Sequence, residues 1–282
     1  MFRGVVSFFV RLYLKLPFKP FRATLSKLYG HYYGHQLQAD PIVRKKIKGI
    51  TYELDLREQI DTLIYYQGSF EPATTAAICR LCEPGMVALD IGANIGAHTL
   101  RLAQLVGPDG KVIAFEPMTA AKTKLERNIS LNPFTNIVVE KLALGNADTK
   151  KRVHFRTSWR LAGLPEQEEE TSKELVTFRK LDTYAAQKRL VHVGFIKLDV
   201  DGLEFEILKG GRQSLKKWRP RLVMEVGDYP GSGGYRLEDL LTMLTDLGYE
   251  LYDEKNLRPL PADRLRADLK RGTVNLVALP RT

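Results

Sequence analysis

Met86-Val-Ala-Leu-Asp90-Ile-Gly92-Ala-Asn94-Ile-Gly96-Ala-His98 is the stretch that decides the fold. Its first half is an apolar run ending in an acid, the pattern of a strand covered on both faces. Its second half is a glycine-bearing turn, and Asn94–Val106 reads as the helix that follows, stopped by Gly107-Pro108. A strand passing through such a turn into a helix makes a cradle for a ligand. Glycine lets the backbone come close, and a helix N-terminus favours a negative group.

Outward from this unit the alternation repeats. Lys111–Phe115 is a second strand, Thr119–Leu131 a helix and Ile137–Leu144 a third strand. Residues 150–182 read as extra antiparallel strands around a charged loop, Pro165–Lys173. Val193–Val200 is the fourth strand, Phe205–Lys217 a helix, Arg221–Val226 the fifth strand and Leu237–Leu247 a helix. Tyr249–Asp253 and Val274–Leu279 complete the set. The pattern predicts an α/β fold, doubly wound around a mostly parallel seven-stranded sheet, with ligands bound beyond the carboxyl ends of the strands. Upstream, Ile50, Tyr52, Leu54 and Leu56 alternate as a strand, and a helix ends near Pro84-Gly85. The expected organisation is an arm at 1–48, a strand and helices capping the core at 49–85, and the main domain at 86–282.

Acidic residues stand at the strand tips. Glu116 closes the second strand, 20 residues after Gly96, where a carboxylate can accept from both ribose hydroxyls of a nucleoside. The dinucleotide spacing Gly-x-Gly-x-x-Gly is absent, because glycines stand only at 92 and 96, which argues against a pyrophosphate-bearing cofactor. Asp90, at the start of the turn, is placed to help hold an ammonium, directly or through water. The fourth strand ends in Lys197-Leu-Asp199-Val-Asp201-Gly202-Leu-Glu204, and the fifth carries Glu225. So many charges at the mouth of a buried strand are costly unless paired or functional. Alternation sends Lys197, Asp199 and Asp201 to one side, with Asp199 as base or substrate anchor and Lys197 supporting it; structural pairing is the competing reading. A divalent metal shared by Asp199 and a neighbouring acid is chemically open, since hard oxygen ligands suit magnesium, but is not expected.

These motifs, with Asn128-Ile-x-Leu-Asn132, Ala143-Leu-Gly145 and Lys209-Gly210, closely resemble the FkbM family of methyltransferases over residues 68–255. The resemblance implies a class I methyltransferase (Rossmann-like) fold and S-adenosylmethionine as methyl donor. It implies transfer most often to a hydroxyl oxygen, on sugars, polyketides or glycolipids, so the partner is a small-molecule, glycan or lipid-linked acceptor. By position, Asp90, Gly92, Asn94, Gly96, Glu116 and Pro117 would bind cofactor, with Ala143 near the adenine. Lys197, Asp199 and Glu225 would be catalytic, and Asp201 and Glu204 would meet substrate. The chain departs from the pattern at Asp201, where the family usually has Glu, and at Gly227-Asp228, where a His often stands. The alternatives are a nucleic-acid or protein methyltransferase, or an inactive methyltransferase fold used for binding.

Charge weighs against nucleic acid. The net charge is +10, yet residues 1–48 hold ten Lys/Arg against Asp40, so the remaining 234 residues carry only +1 and offer no phosphate footprint. The run after the fourth strand, Asp199-Val-Asp-Gly, also lacks the Pro-Pro-aromatic pattern of amino-directed nucleic-acid enzymes. Two cysteines, Cys79 and Cys82, are too few for a disulfide framework and read as helix-face residues.

The arm has its own character. In Gly4–Leu16, apolar residues cover most of a helix while Arg11 and Lys15 share its narrow polar face. Those charges interrupt the run far short of a membrane span, which needs ~20 residues, and no signal-peptide cleavage site follows. The reading is a cytoplasmic protein with peripheral attachment of residues 1–28 to the inner face of a membrane; packing on the body or on a second subunit is the alternative. Basic residues near an anionic surface add about 1 kcal/mol each, lost as salt screens them. The full chain is therefore expected to float with anionic liposomes while a chain starting at Lys48 does not; equal flotation of both, or of neither, contradicts attachment through the arm.

Overall fold

The computed structural model describes residues 41–156, 171–227 and 235–281. The arm helix expected at Gly4–Leu16 and the Glu-rich stretch 166–170 lie outside them. Among the described residues no helix is long and apolar enough to cross a membrane. The chain divides into two compact units. One contains the described residues up to Pro72 with Ser130–Asn132 and the described residues between His154 and Lys173; the other contains Ala73–Ile129, Pro133–Val153 and the described residues from Glu174 onward.

The first unit opens with a hairpin of β1 (Ile42–Ile47) and β2 (Ile50–Asp55), antiparallel and closed at Lys48-Gly49, both with positive φ. Ile50, Tyr52 and Leu54 are buried, as their alternation predicts. α1 (Gln59–Gln67) follows. Asn132 donates to the Thr51 carbonyl at 2.7 Å and accepts from its amide at 2.8 Å, so one side chain imitates a neighbouring strand. The hairpin corrects the boundary expected at 48/49. Residues 42–47 are strand, not arm, because Val43, Lys45 and Ile47 turn inward while Arg44 and Lys46 keep their charge on the exposed side.

Then come α2 (Pro72–Leu81), β3 (Val87–Ile91), α3 (Thr99–Val106), β4 (Lys111–Phe115), α4 (Thr119–Ser130), β5 (Ile137–Glu140) and β6 (Ala143–Gly145). β7 (Thr149–Arg156), β8 (Thr171–Lys180), α5 (Leu181–Gln187), β9 (Phe195–Leu198), α6 (Glu204–Gly210) and α7 (Arg212–Trp218) follow. β10 (Arg221–Val226), α8 (Leu237–Asp246), β11 (Tyr249–Asp253), α9 (Ala262–Leu269) and β12 (Val274–Pro280) complete the order.

Seven strands form one sheet in the order β11-β12-β10-β9-β3-β4-β5. Pairing is parallel from β10 through β9, β3 and β4 to β5, and β12 runs antiparallel to both its neighbours. The fold is therefore the doubly wound, mostly parallel α/β sheet that the sequence predicts. The strand order reverses between β3 and β9, and the carboxyl ends meeting there form the crevice where such sheets bind ligands. Alternation splits the core. Leu89, Ile91, Ile113, Phe115, Ile196, Leu198, Leu222 and Met224 pack on one face with residues of α5, α6, α7 and α8. Ala88, Val112, Phe195, Val223 and Val277 pack on the other with residues of α2 and α3. Both faces being covered, these strands carry almost no polar residues except at their carboxyl tips.

Three further expectations are corrected. The third strand ends at Glu140; Ala143–Gly145 instead joins β8 and β7 in a separate three-stranded sheet, where β6 runs parallel to β8. The helix expected over Phe205–Lys217 parts at Gly210-Gly211 into α6 and α7, since glycine is a poor helix-interior residue and two together break it. The helix expected from Asn94 starts at Thr99, because Asn94 and Gly96 have φ of 48° and 89°. α5 and α9, of seven and eight residues, and β1 are not visible in the pattern. The cysteines behave as expected: both are free thiols, and burial pushes that of Cys82 up to about 12, far from a reactive thiolate.

Candidate functional site

The register of the sheet builds the site. Asp90 on β3 stands opposite Lys197 on β9, and Met224 pairs with Leu198, so Glu225 falls beside Asp199. Asp90 is inaccessible to solvent and Lys197 is 4% exposed. The Lys197 ammonium lies 3.1 Å from Asp199 Oδ2 and 3.8 Å from Asp90 Oδ1, and donates to the Gly92 carbonyl at 3.2 Å. A buried charge is tolerable only when paired. Here one ammonium serves two carboxylates and the backbone of the turn at once.

The turn is equally constrained. Gly92 has φ 82°, and a β-carbon there would overlap the Asp199 carbonyl, so only glycine lets β3 and the chain after β9 approach. The amides of Gly92 and Ala93 both donate to Phe115 O at 3.1 Å. Asn94 takes a left-handed conformation, and its amide donates to Glu116 Oε2 at 2.9 Å. The other oxygen of Glu116 accepts from the Met118 amide at 2.8 Å. Burial pushes the Glu116 carboxyl above the usual range, and these two amides oppose the shift. Each of its oxygens keeps a further lone pair, which suits a vicinal diol.

Beyond the turn the rim is acidic. Carboxylate oxygens of Asp199, Asp201 and Glu225 lie within 4.8 Å of one another, close enough to share a hard cation. Partial burial of its carboxyl, and then the charge of Asp199, hold Asp201 above the ordinary range.

The structure brings Asp90, Gly92, Asn94, Glu116, Lys197, Asp199, Asp201 and Glu225 together as the sequence predicts. Two of the predicted site residues, Asp90 and Glu204, act differently. Asp90 stands behind the turn: Thr99 donates to its Oδ2 at 2.6 Å, and its carboxylate supports Lys197, so direct contact with a ligand ammonium is corrected. Glu204, expected to meet substrate, is fully buried. Its carboxylate accepts from the amides of Val200 at 3.0 Å and Gly202 at 3.0 and 3.2 Å, so it holds the loop carrying Asp199 and Asp201. Pro117 and Ala143 are half-buried, at the end of β4 and the start of β6. Gly96 is buried against Leu125. Thr99 was missed because the helix was drawn from Asn94, which hid the fact that its first residue faces Asp90.

Comparison with known proteins places the chain in a family. The family described as Methyltransferase FkbM domain matches residues 90–251. The 2-O-methyltransferase NoeI of Sinorhizobium fredii is 26% identical over 178 residues, which is 55% of this chain and 71% of NoeI. The AMB antimetabolite synthetase AmbE of Pseudomonas aeruginosa is 25% identical over 230 residues, 68% of this chain but only 11% of AmbE. A solved methyltransferase FkbM from Methylobacillus flagellatus has a TM-score of 0.45 at 19% identity, covering 76% of this chain and 49% of that one.

If Glu116 holds a ribose, replacing it by alanine removes charged hydrogen bonds of about 1.5–3 kcal/mol. Glu116→Ala is expected to weaken S-adenosylmethionine binding by roughly 10- to 150-fold in calorimetry. In the unsubstituted chain the affinity should fall on acidification as Glu116 protonates, starting at higher pH than for an ordinary glutamate, because burial raises its pKa. Unchanged affinity in the alanine variant contradicts the assignment.

Proposed function

The chain belongs to the FkbM family of S-adenosylmethionine-dependent methyltransferases, and from that premise we propose that it methylates a hydroxyl oxygen on a sugar, a glycolipid or a secondary metabolite. The observation that carries the proposal is the ion chain Asp90–Lys197–Asp199, which joins the back of the glycine turn to the acidic rim. The cradle fits the cofactor: a turn with no room for a side chain at Gly92, an acid at the next strand tip, Glu116, with lone pairs free for a diol, and no pyrophosphate glycine spacing. Bound there, S-adenosylmethionine supplies an electrophilic methyl group.

The remaining work belongs to the protein. Asp199, whose side chain is 23% exposed, is the acid of the ion chain that a substrate can reach. It accepts the proton of the acceptor hydroxyl on its carboxylate, and the Lys197 ammonium fixes the orientation of that carboxylate. Glu225 and Asp201 line the same mouth and orient the other hydroxyls of a polyol. Three carboxylates against one ammonium repel a phosphate beside the reacting oxygen, which favours an uncharged acceptor over a nucleic acid. The relative NoeI, a 2-O-methyltransferase, supports oxygen as the acceptor atom.

The test uses methyl-labelled cofactor and a panel of neutral glycosides and glycolipids. Transfer to a hydroxyl is expected, and Asp199→Asn should lower kcat by about 10²- to 10⁴-fold with cofactor affinity nearly unchanged. Full turnover in that variant contradicts Asp199 as base; labelling of nucleic acid or protein in place of the glycosides contradicts the acceptor class.

A further inference from the structure

Asn128 belongs to a motif whose chemistry is not used by any step above. It lies on α4, is fully buried, and its side-chain amide donates to the Ile95 carbonyl at 2.9 Å. Three residues earlier on the same helix face, Leu125 packs under Gly96, where an added β-carbon would come within 2.6 Å of its Cδ1. α4 itself begins at Thr119, directly after the Glu116-Pro117-Met118 segment that accepts the Asn94 amide. Asn94, Ile95 and Gly96 are thus each gripped in turn: by Glu116, by Asn128 and by Leu125.

We infer that Asn128 is a positioning residue of the cofactor site, fixing the Ile95–Gly96 peptide so that the turn keeps its register on Glu116. A carbonyl in a turn with left-handed residues on either side has few conformations that keep its hydrogen bond. Without a donor at Asn128 the Ile95 carbonyl is left buried and unsatisfied, and the peptide rotates to find another partner. That rotation moves the Asn94 amide off Glu116 and disturbs the part of the cradle that a nucleoside must fit. The inference rests on the reading of this turn as the S-adenosylmethionine site.

A second side-chain amide, partly buried, provides the control. Asn136 donates to the carbonyls of Ala103 at 3.0 Å and Gly107 at 2.7 Å, at the far end of α3, where no site residue lies. Calorimetric titration of the full chain with S-adenosylhomocysteine, alongside thermal unfolding, separates positioning from plain stability. Asn128→Asp, which puts an acceptor where the donor was, and Asn128→Ala should both weaken binding by roughly tenfold or more. Asn136→Asp should lower Tm while leaving the affinity within about twofold. If Asn128→Asp fails to fold, Asn128→Ala, which adds no charge, decides. Binding by the Asn128 variants within twofold of the unsubstituted chain, or an equal loss in Asn136→Asp, overturns this inference alone. An unsubstituted chain that binds no S-adenosylhomocysteine overturns it together with the cofactor reading.

Discussion

Lys197 sits 4% exposed between Asp90 and Asp199, and its ammonium holds the crevice at the reversal of strand order together. Breaking such a buried pair typically costs about 3–5 kcal/mol, because a charge is left without its partner. The cost explains why the surrounding groups are so closely placed. Thr99 donates to Asp90 beside the lysine, the Gly92 carbonyl accepts a hydrogen bond from the ammonium, and Gly92 itself can have no side chain because the Asp199 carbonyl occupies that space. A single buried ammonium thereby ties β3, its turn and β9 together.

Two other buried carboxylates do a related task with backbone in place of a cation. Glu116 gathers the amides of Asn94 and Met118, and Glu204 those of Val200 and Gly202. Burial pushes both pKa values up, and in both the amides pull the other way. The difference is what lies beyond. Glu116 stands at the carboxyl tip of β4 with a lone pair left on each oxygen. Glu204 faces inward, and what it delivers is the position of the loop bearing Asp199 and Asp201.

Much of this was legible in the chain itself. Strand alternation, the Gly92-to-Gly96 turn and an acid at the second strand tip led to the sheet, its order class and the residues that meet at its edge. Asp90, Lys197 and Asp199 were found because charges at the end of an otherwise apolar strand have few explanations. Direction was harder to read than location. Nothing in the spelling of Glu204 separates a carboxylate that meets substrate from one that turns back on its own loop, since that depends on the φ of Asp201 and Gly202. Likewise Thr99 and Asn128 act through backbone geometry that periodicity does not encode. The hairpin of β1 was masked by its composition: Arg44, Lys45 and Lys46 read as arm, and only pairing with β2 reveals which of them face inward.

A crystal structure of the chain with S-adenosylhomocysteine tests this assignment of the site most directly. The ribose hydroxyls are expected on the Glu116 carboxylate, the amino-acid part against the Gly92–Gly96 turn, and the sulfur directed toward the rim of Asp199 and Glu225. A ligand bound elsewhere on the sheet, or seated in the turn with its sulfur directed away from Asp199, would contradict it.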